Sequence, residues 1–283
     1  MSTPTDTTAA AYNLAAARSY EGQKDVFSVR IGTKPIEISL GFQPLGVSIM
    51  GSFIAVAAYF EPAVMLARIE VSCDDLRLSQ ITWIRSVMHE GKPVRMFPDL
   101  FAGGANRMQN AVFRTPDQLW LSRNGDRRIF IVRRQDDGTW HHSSALLLPG
   151  SDEHPLLHSV LLGEDPRHVT TTESDGPLEN WALCSYRLDD PKLECLSESV
   201  TPWRYLGARH ANGTLYSVAD VRAGDKRGIF ADKRRILDVP GNGIALLDGG
   251  KSGALVTRYG QAYPGPFNGI PGSLIYVPPD CLV

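Results

Sequence analysis

The stretch Ala111-Val-Phe-Arg-Thr-Pro-Asp-Gln-Leu-Trp-Leu-Ser122 is a compact strand–turn–strand unit, with apolar runs at 111–113 and 118–122 around a short turn. The same unit recurs about five times along the chain, and a third apolar strand follows each copy. The other copies pair residues 47–49 with 53–59, 159–162 with 168–172, 206–209 with 214–219, and 243–247 with 254–258. A period of about 40–50 residues is typical of a propeller built from four-stranded blades. The sequence therefore predicts an all-β fold.

The units fit a single β-propeller domain over residues 25–283, preceded by a flexible N-terminal tail over residues 1–24. Five blades is the predicted number, and six blades is the alternative because residues 86–107 are long enough to contain further strands. The last unit has a third strand at 273–277 and lacks a fourth. Residues 36–40 are predicted to supply that outer strand and close the ring, which would remove an open sheet edge.

The charge pattern argues against nucleic acid or a membrane surface as the partner. The chain has 29 basic and 31 acidic residues and a net charge of −2, without a long run of either sign, whereas such partners need a basic face. No apolar run reaches the length of a membrane span, and residues 1–22 lack the pattern of a secretory signal. A cytoplasmic protein with a small organic molecule as its partner is expected, and the sequence gives no oligomeric state.

The cysteines show no metal-site spacing. Cys184 and Cys195 flank a predicted turn at 189–191, and one register would place them opposite each other across a hairpin. A disulfide there is the alternative to free thiols.

The arrangement of blades nominates a site at one end of the central channel. The segments that lead into each first strand, and the turns from each second strand to the third, open at that same end, so their polar residues converge in a concave mouth. The predicted catalytic residues are His158, Arg204, Tyr205 and Arg107. The predicted ligand-binding residues are Asn110, His154, Asn242, Glu61, Glu173, Asp220 and Tyr259.

Three chemistries remain open for this mouth. A transition-metal site has little support, since the spacing of His154 and His158 places them on one face only in a helix; no metal ligand is assigned. A divalent cation such as calcium is an alternative, held by oxygen atoms of Glu61, Asn110 and Asn242.

Acid–base catalysis by paired carboxylates would have to use Glu61, Glu173 and Asp220, at corresponding turns of three blades. The third chemistry positions and polarises a ligand with Arg, Tyr, His and Asn side chains. The mouth is richest in those residue types.

Residues 241–245 read Gly-Asn-Gly-Ile-Ala and precede an Asp-Gly pair at 248–249. This stretch resembles the Asn-Gly-Ile turn of the regucalcin, gluconolactonase and strictosidine-synthase propellers. Residues 101–120 resemble that group's Asn-Asp segment, with Ala111 in place of the aspartate. The resemblance implies a propeller, and it implies that Asn242 corresponds to a ligand of the group's divalent metal. No acid stands at 206–208 to complete that metal set.

We therefore expect a small-molecule enzyme with one axial active site, either a hydrolase or lactonase or an isomerase or cyclase of a metabolite. The alternative is a carbohydrate-binding, lectin-like propeller without catalysis. Such a lectin would need repeated pockets between blades, and the turns here differ strongly from blade to blade.

Overall fold

The computed structural model describes residues 25–30, 32–59, 63–72, 75–96, 108–123, 126–149, 156–162, 167–174, 181–188, 195–201, 205–219, 228–232, 234–239, 241–258 and 272–283. Only the backbone is described for residues 25–30, 156, 158–159, 161–162, 181, 195–201, 205–210 and 219. The predicted tail, residues 1–24, lies outside these ranges. The described residues form strands that are arranged in five separate sheets.

The first sheet has the order β1-β6-β5-β4-β3, and β2 belongs to the last sheet. An outer strand joins it from the N-terminal side, with Phe27 paired to Leu78. The repeated units did not include residues 25–30, so this fifth strand is an addition to the four expected strands. The strands are β1 (Asp25–Arg30), β2 (Ile36–Ser39), β3 (Pro44–Met50), β4 (Phe53–Ala58), β5 (Ala63–Val71) and β6 (Asp75–Ile84).

The second sheet carries an extra hairpin where a sixth blade was the alternative. Its two strands do not start a new sheet; the first of them pairs in parallel with the sheet's outer strand through Met88 and His141. The order is β8-β7-β12-β11-β10-β9. The strands are β7 (Ser86–His89), β8 (Lys92–Arg95), β9 (Met108–Thr115), β10 (Gln118–Arg123), β11 (Arg128–Arg134) and β12 (Trp140–Leu147).

The third and fourth sheets each have four strands in chain order, all paired antiparallel. The third contains β13 (Leu156–Leu162), β14 (His168–Ser174), β15 (Trp181–Arg187) and β16 (Cys195–Thr201). The fourth contains β17 (Tyr205–Ala211), β18 (Thr214–Ala219), β19 (Gly228–Ala231) and β20 (Arg234–Leu237).

The register of the third sheet does not favour the disulfide that was the alternative. Cys195 pairs with Tyr186, and Cys184 pairs with Glu198. Cys184 is buried in an apolar cluster between the second and third sheets.

The fifth sheet joins the two ends of the described chain. It contains β21 (Gly243–Leu246), β22 (Ala254–Arg258) and β23 (Ser273–Val277) in the order β2-β23-β22-β21. The pairing predicted for residues 36–40 is present: Ile36 lies opposite Tyr276 and Ser39 opposite Ser273. The Leu40 N–H extends the ladder by donating to the Gly272 carbonyl at 2.7 Å. The missing fourth strand of this sheet is thus supplied by an N-terminal segment.

Apolar side chains fill the spaces between neighbouring sheets. One buried cluster joins the first and fifth sheets and includes Ile38, Ile54 and Leu255. A second joins the first and second sheets, a third the second and third, and a fourth the fourth and fifth. The first strands of the repeated units are β3, β9, β13, β17 and β21, and each of them contacts two of the others. Alternating strand residues therefore bury both faces of most sheets.

We predict that Ile38→Ala destabilises the protein by about 2–4 kcal/mol, because it removes a nearly fully buried side chain from the cluster shared by the first and last sheets. Urea unfolding followed by circular dichroism measures this. The control is Lys34→Ala, an exposed position two residues before β2, where the change should stay within about 0.5 kcal/mol. Equal effects of the two substitutions would contradict a stabilising role of β2 in this cluster.

The added hairpin contacts the second sheet through two histidines. His89 Nδ1 lies 3.0 Å from His142 Nδ1, and the two rings meet edge to face at 4.9 Å. One nitrogen must donate and the other accept, so at least one ring is neutral. Burial, and then the charge of His89, lowers the pKa of His142, while the Ser144 backbone opposes this shift. The contact therefore favours the neutral form of His142.

Because the pKa of His142 is lower in the folded protein than its unfolded value of 6.5, the unfolded chain binds the proton first. The contribution of neutral His142 to the free energy of unfolding is therefore complete above about pH 6.5, and it is lost as the pH falls below that value. We predict that the melting temperature drops between pH 7 and 5, and that His142→Gln reduces this slope. A slope that is the same in wild type and variant would exclude His142 as its source.

Candidate functional site

The sheets meet at the end where their first strands begin, which we term the mouth end. Gly46, at the start of β3, faces Asn110, at the start of β9: a Cβ on Gly46 would lie closer than 3.0 Å to the Asn110 side chain and backbone. Gly243 opens β21, and a Cβ there would be equally close to the Leu45 carbonyl. The first, second and fifth sheets therefore converge here at a distance that only glycine permits.

The third and fourth sheets reach the same end. Glu173, which pairs with Leu157 at the start of β13, bonds to Arg127, just before β11 of the second sheet. Val218 lies one step from the end of β18, and its Cγ1 would be 3.3 Å from a Cβ on Gly241, just before β21. All five sheets thus bring the starts of their first strands to the mouth end.

The structure describes the side chains of three predicted site residues: Asn110, Glu173 and Asn242. For His158 and Tyr205 it describes the strand alone; His158 lies on β13 and Tyr205 begins β17. The remaining predicted site residues lie outside the described part of the chain: Arg107, His154, Arg204, Glu61, Asp220 and Tyr259.

Asn242 is a buried amide with an uncommitted oxygen. Its backbone N–H donates to the Thr257 carbonyl at 2.7 Å, and 2% of the residue is exposed. No donor among the described residues reaches its Oδ1 atom. A buried acceptor without a donor is rare in folded proteins, since it loses its bond to water and gains nothing. This oxygen is therefore suited to accept a bond from a bound molecule.

Asn110 lies near the start of β9, against Gly46 of β3, and it is also buried. Its Nδ2 group donates to Ser122 Oγ on β10 at 3.4 Å, the residue with which Asn110 is paired. Thr257 Oγ1 donates to the Leu45 carbonyl and links the fifth sheet to the first. These bonds hold the first strands in place around the mouth end.

Glu173 is committed to protein partners. Its carboxylate accepts from the Arg127 guanidinium, from Tyr186 Oη at 2.7 Å and from Thr171 Oγ1 at 2.6 Å. Arg127 also donates to the Pro149 carbonyl at 2.6 Å. The carboxylate was predicted to contact a ligand from a turn; it lies instead on β14, between the second and third sheets. It serves as a buried ion pair between two sheets, and its ligand contact stays a prediction.

Tyr186 belongs to the same network. Burial raises the pKa of Tyr186, and the negative charge of Glu173 and its hydrogen bond add to the rise. The phenol therefore remains a donor well above neutral pH. The sequence pointed to neither Tyr186 nor Arg127 as a partner, and the available signal was the alternation of Val169, Thr171 and Glu173 on one face of a strand.

A second charged group lies at the turn between β10 and β11. Asp126 accepts from Arg123 Nε at 2.8 Å and from Arg128 Nη2 at 2.6 Å. Burial alone would raise the pKa of Asp126, but the bonds from Arg128 and the charge of Arg123 outweigh it and lower the pKa. Arg123 and Asp126 are both buried. Together the three side chains carry one net positive charge, next to Met108 of β9, with which Arg123 is paired.

The described residues contain no group of three or more His, Cys, Asp or Glu close enough to hold a metal ion. At the position of the family's aspartate, Ala111 packs in an apolar cluster instead. Among the described residues there is also no helix that is long and apolar enough to cross a membrane.

Comparison with known proteins adds similarity of fold. No protein-family model and no curated protein sequence matches the chain. Among solved structures it is similar to luciferin-regenerating enzyme, at 10% identity over 86% of this chain and 94% of that one, with a TM-score of 0.47. The sequence-based resemblance to regucalcin and lactonase propellers thus has a structural counterpart.

Two further solved structures are similar. A putative 6-phosphogluconolactonase from Bacteroides fragilis shares 10% identity over 75% of this chain and 78% of that one, with a TM-score of 0.39. A putative oxidoreductase (glucose dehydrogenase) from Thermus thermophilus shares 10% identity over 87% and 99%, with a TM-score of 0.45. With TM-scores below 0.5, these similarities do not decide an activity.

We predict that Glu173→Gln lowers the free energy of unfolding by about 3–5 kcal/mol, because it leaves the Arg127 charge without its buried partner. The same substitution at Glu37 is the control. Glu37 forms an exposed ion pair with Arg258, and its loss should cost no more than about 1 kcal/mol. Urea unfolding measures both variants, and a Glu173→Gln protein as stable as wild type would show that the network is not structural.

Proposed function

We propose that the five sheets are the blades of one closed propeller, and that the protein is an enzyme acting on a small organic molecule at the mouth end. One observation carries this proposal: the buried Asn242 Oδ1 atom without a donor among the described residues. The molecule that binds there would supply a hydroxyl or N–H group to this oxygen. The divergent turns favour a single asymmetric site of this kind over repeated lectin-like pockets.

Chain order supports the remaining residues of the site. Arg107 directly precedes Met108, the first residue of β9, and Arg204 directly precedes Tyr205, the first residue of β17. His158 follows Leu157, which pairs with Glu173 near the mouth end. Guanidinium and phenol groups would polarise a carbonyl or stabilise an oxyanion, and a histidine would transfer a proton near neutral pH.

This set of residues suits hydrolysis of a lactone or isomerisation or cyclisation of a metabolite. Both reactions place negative charge on an oxygen atom during the reaction, where Arg107 or Arg204 would stabilise it. His158 would take the proton from the attacking water or from a substrate carbon, and return it to the leaving oxygen or the product.

The family's divalent metal does not fit the described residues. Asn242 supplies one uncommitted oxygen, but a hard cation needs several, usually with carboxylates among them. Ala111 replaces one acid, and the carboxylate of Glu173 is bound by Arg127 and Tyr186. The proposed reaction therefore uses protein side chains alone.

We predict that Asn242→Ala separates stability from activity. Removing a buried acceptor without a donor should leave the melting temperature unchanged or slightly higher. The loss of one positioning contact should reduce turnover or ligand binding at least about tenfold. The measurements are thermal unfolding, and turnover in a screen of lactones and hydroxy acids, with and without EDTA.

Asn212→Gly is the matched control. It removes an amide at the opposite end, in a turn where the backbone φ of 50° is one that glycine adopts readily. Activity should be unchanged in this variant. A less stable Asn242→Ala protein with full turnover would overturn the proposal, because Asn242 would then be a structural residue. Loss of activity on treatment with EDTA would instead indicate that the reaction depends on a metal ion.

A further inference from the structure

A groove of about 520 Å³ lies on the fourth sheet, at the end opposite to the mouth. It is reached by the β17–β18 turn, where Ala211 pairs with Thr214, and by the β19–β20 turn at Asp232. The C-terminal residues complete its wall. The lining residues are Thr214, Tyr216, Ala231, Asp232, Arg234, Leu282 and Val283.

Several polar side chains that line the groove make no hydrogen bond to other described residues. Within the part of the chain that the structure describes, no hydrogen bond or ion pair engages the side chains of Thr214, Tyr216 or Arg234. Tyr216 is half-buried and packs against the apolar cluster between the fourth and fifth sheets. A fixed aromatic ring beside free hydroxyl and guanidinium groups is the composition of a binding site for a polar molecule.

Asp232 is held in a single orientation. Its N–H donates to the Leu215 carbonyl at 2.8 Å, and its Oδ1 accepts from the Leu215 N–H at 2.9 Å. Its φ of 51° lies in the left-handed region, which Asp tolerates better than most residues. The double link to Leu215 leaves the second carboxylate oxygen, Oδ2, oriented and able to accept a further bond. A preoriented acceptor loses little entropy when a ligand binds.

The charges of the groove favour a neutral ligand. Asp232 carries a negative charge and Arg234 a positive charge, so a ligand with a single charge would be repelled by one of the two. Neighbouring hydroxyls of a sugar ring donate and accept at once, which suits a carboxylate, a guanidinium and a phenol together. The apolar face of such a ring would lie against Tyr216 and Leu282.

The geometry points to a second binding site at this groove, for a neutral polyhydroxylated ligand with the chemistry of a pyranose ring. The site is separate from the mouth end, and it does not depend on the function proposed there. Because the groove is open to water, we expect binding in the millimolar range.

Two neighbouring arginines provide the test. Arg234 and Arg235 are both exposed on β20, but Arg234 lines the groove whereas Arg235 pairs with Asp238 at 2.8 Å. The probes are the methyl glycosides of glucose, galactose and mannose, titrated to about 50 mM with calorimetry and nitrogen–proton NMR spectra of the full chain. Glycine, which carries one charge of each sign and no hydroxyl groups, is the ionic comparison at the same concentration.

We expect at least one glycoside to bind and to shift the amide signals of Tyr216 and Ala231. Arg234→Ala should weaken that binding about tenfold or more, as should Asp232→Asn, which keeps the bond from Leu215 and removes the charge. Arg235→Ala should leave the affinity unchanged. The inference is overturned if no glycoside binds, if glycine binds better, if the two arginine variants lose affinity equally, or if the shifts lie at the mouth end.

Discussion

The close approach of the first strands at the mouth end is the constraint on which the remaining structure depends. Gly46 lies against Asn110 on one side and near Gly243 on the other, at distances that leave no room for a Cβ. Any side chain at these glycines would push the first, second and fifth sheets apart. The same crowding buries Asn110 and Asn242, so the packing that brings the sheets together also produces the candidate site.

Much of the fold follows from the repeated strand pattern. Alternating apolar residues predicted the strands of each sheet, and the incomplete last unit correctly indicated that residues 36–40 pair with residues 273–277. The pattern did not predict the two additions at sheet edges, β1 and the β7–β8 hairpin. An edge strand needs only one neighbouring strand and one buried face, so its sequence does not indicate the sheet to which it belongs. Val87 and Val94 of the hairpin look alike whether they extend a sheet or begin one.

The site was less predictable, because sequence position gives the end of a strand but not the direction of its side chain. Asn242 directly precedes β21, in the entry segment that chain order predicted, whereas Glu173 was predicted in a turn. Glu173 is on a strand face, where it meets Arg127 across the space between two sheets; a neighbour some 46 residues away in sequence cannot be read from spacing. Asn242 was named from its place in the Gly-Asn-Gly turn, and its contact with a ligand stays a prediction.

The two ends of the molecule use polar groups differently, and this follows from how the sheets pack. Their faces are occupied by apolar clusters, so ligand-binding groups have to lie at the ends of strands. At the mouth end the described polar groups are buried, and each hydrogen bond that is not formed there costs about 1–3 kcal/mol. At the opposite groove Arg234 and Asp232 remain solvated, so a ligand must displace water to reach them. The site proposed at the mouth end would therefore bind selectively, and the site proposed at the groove would bind weakly and reversibly.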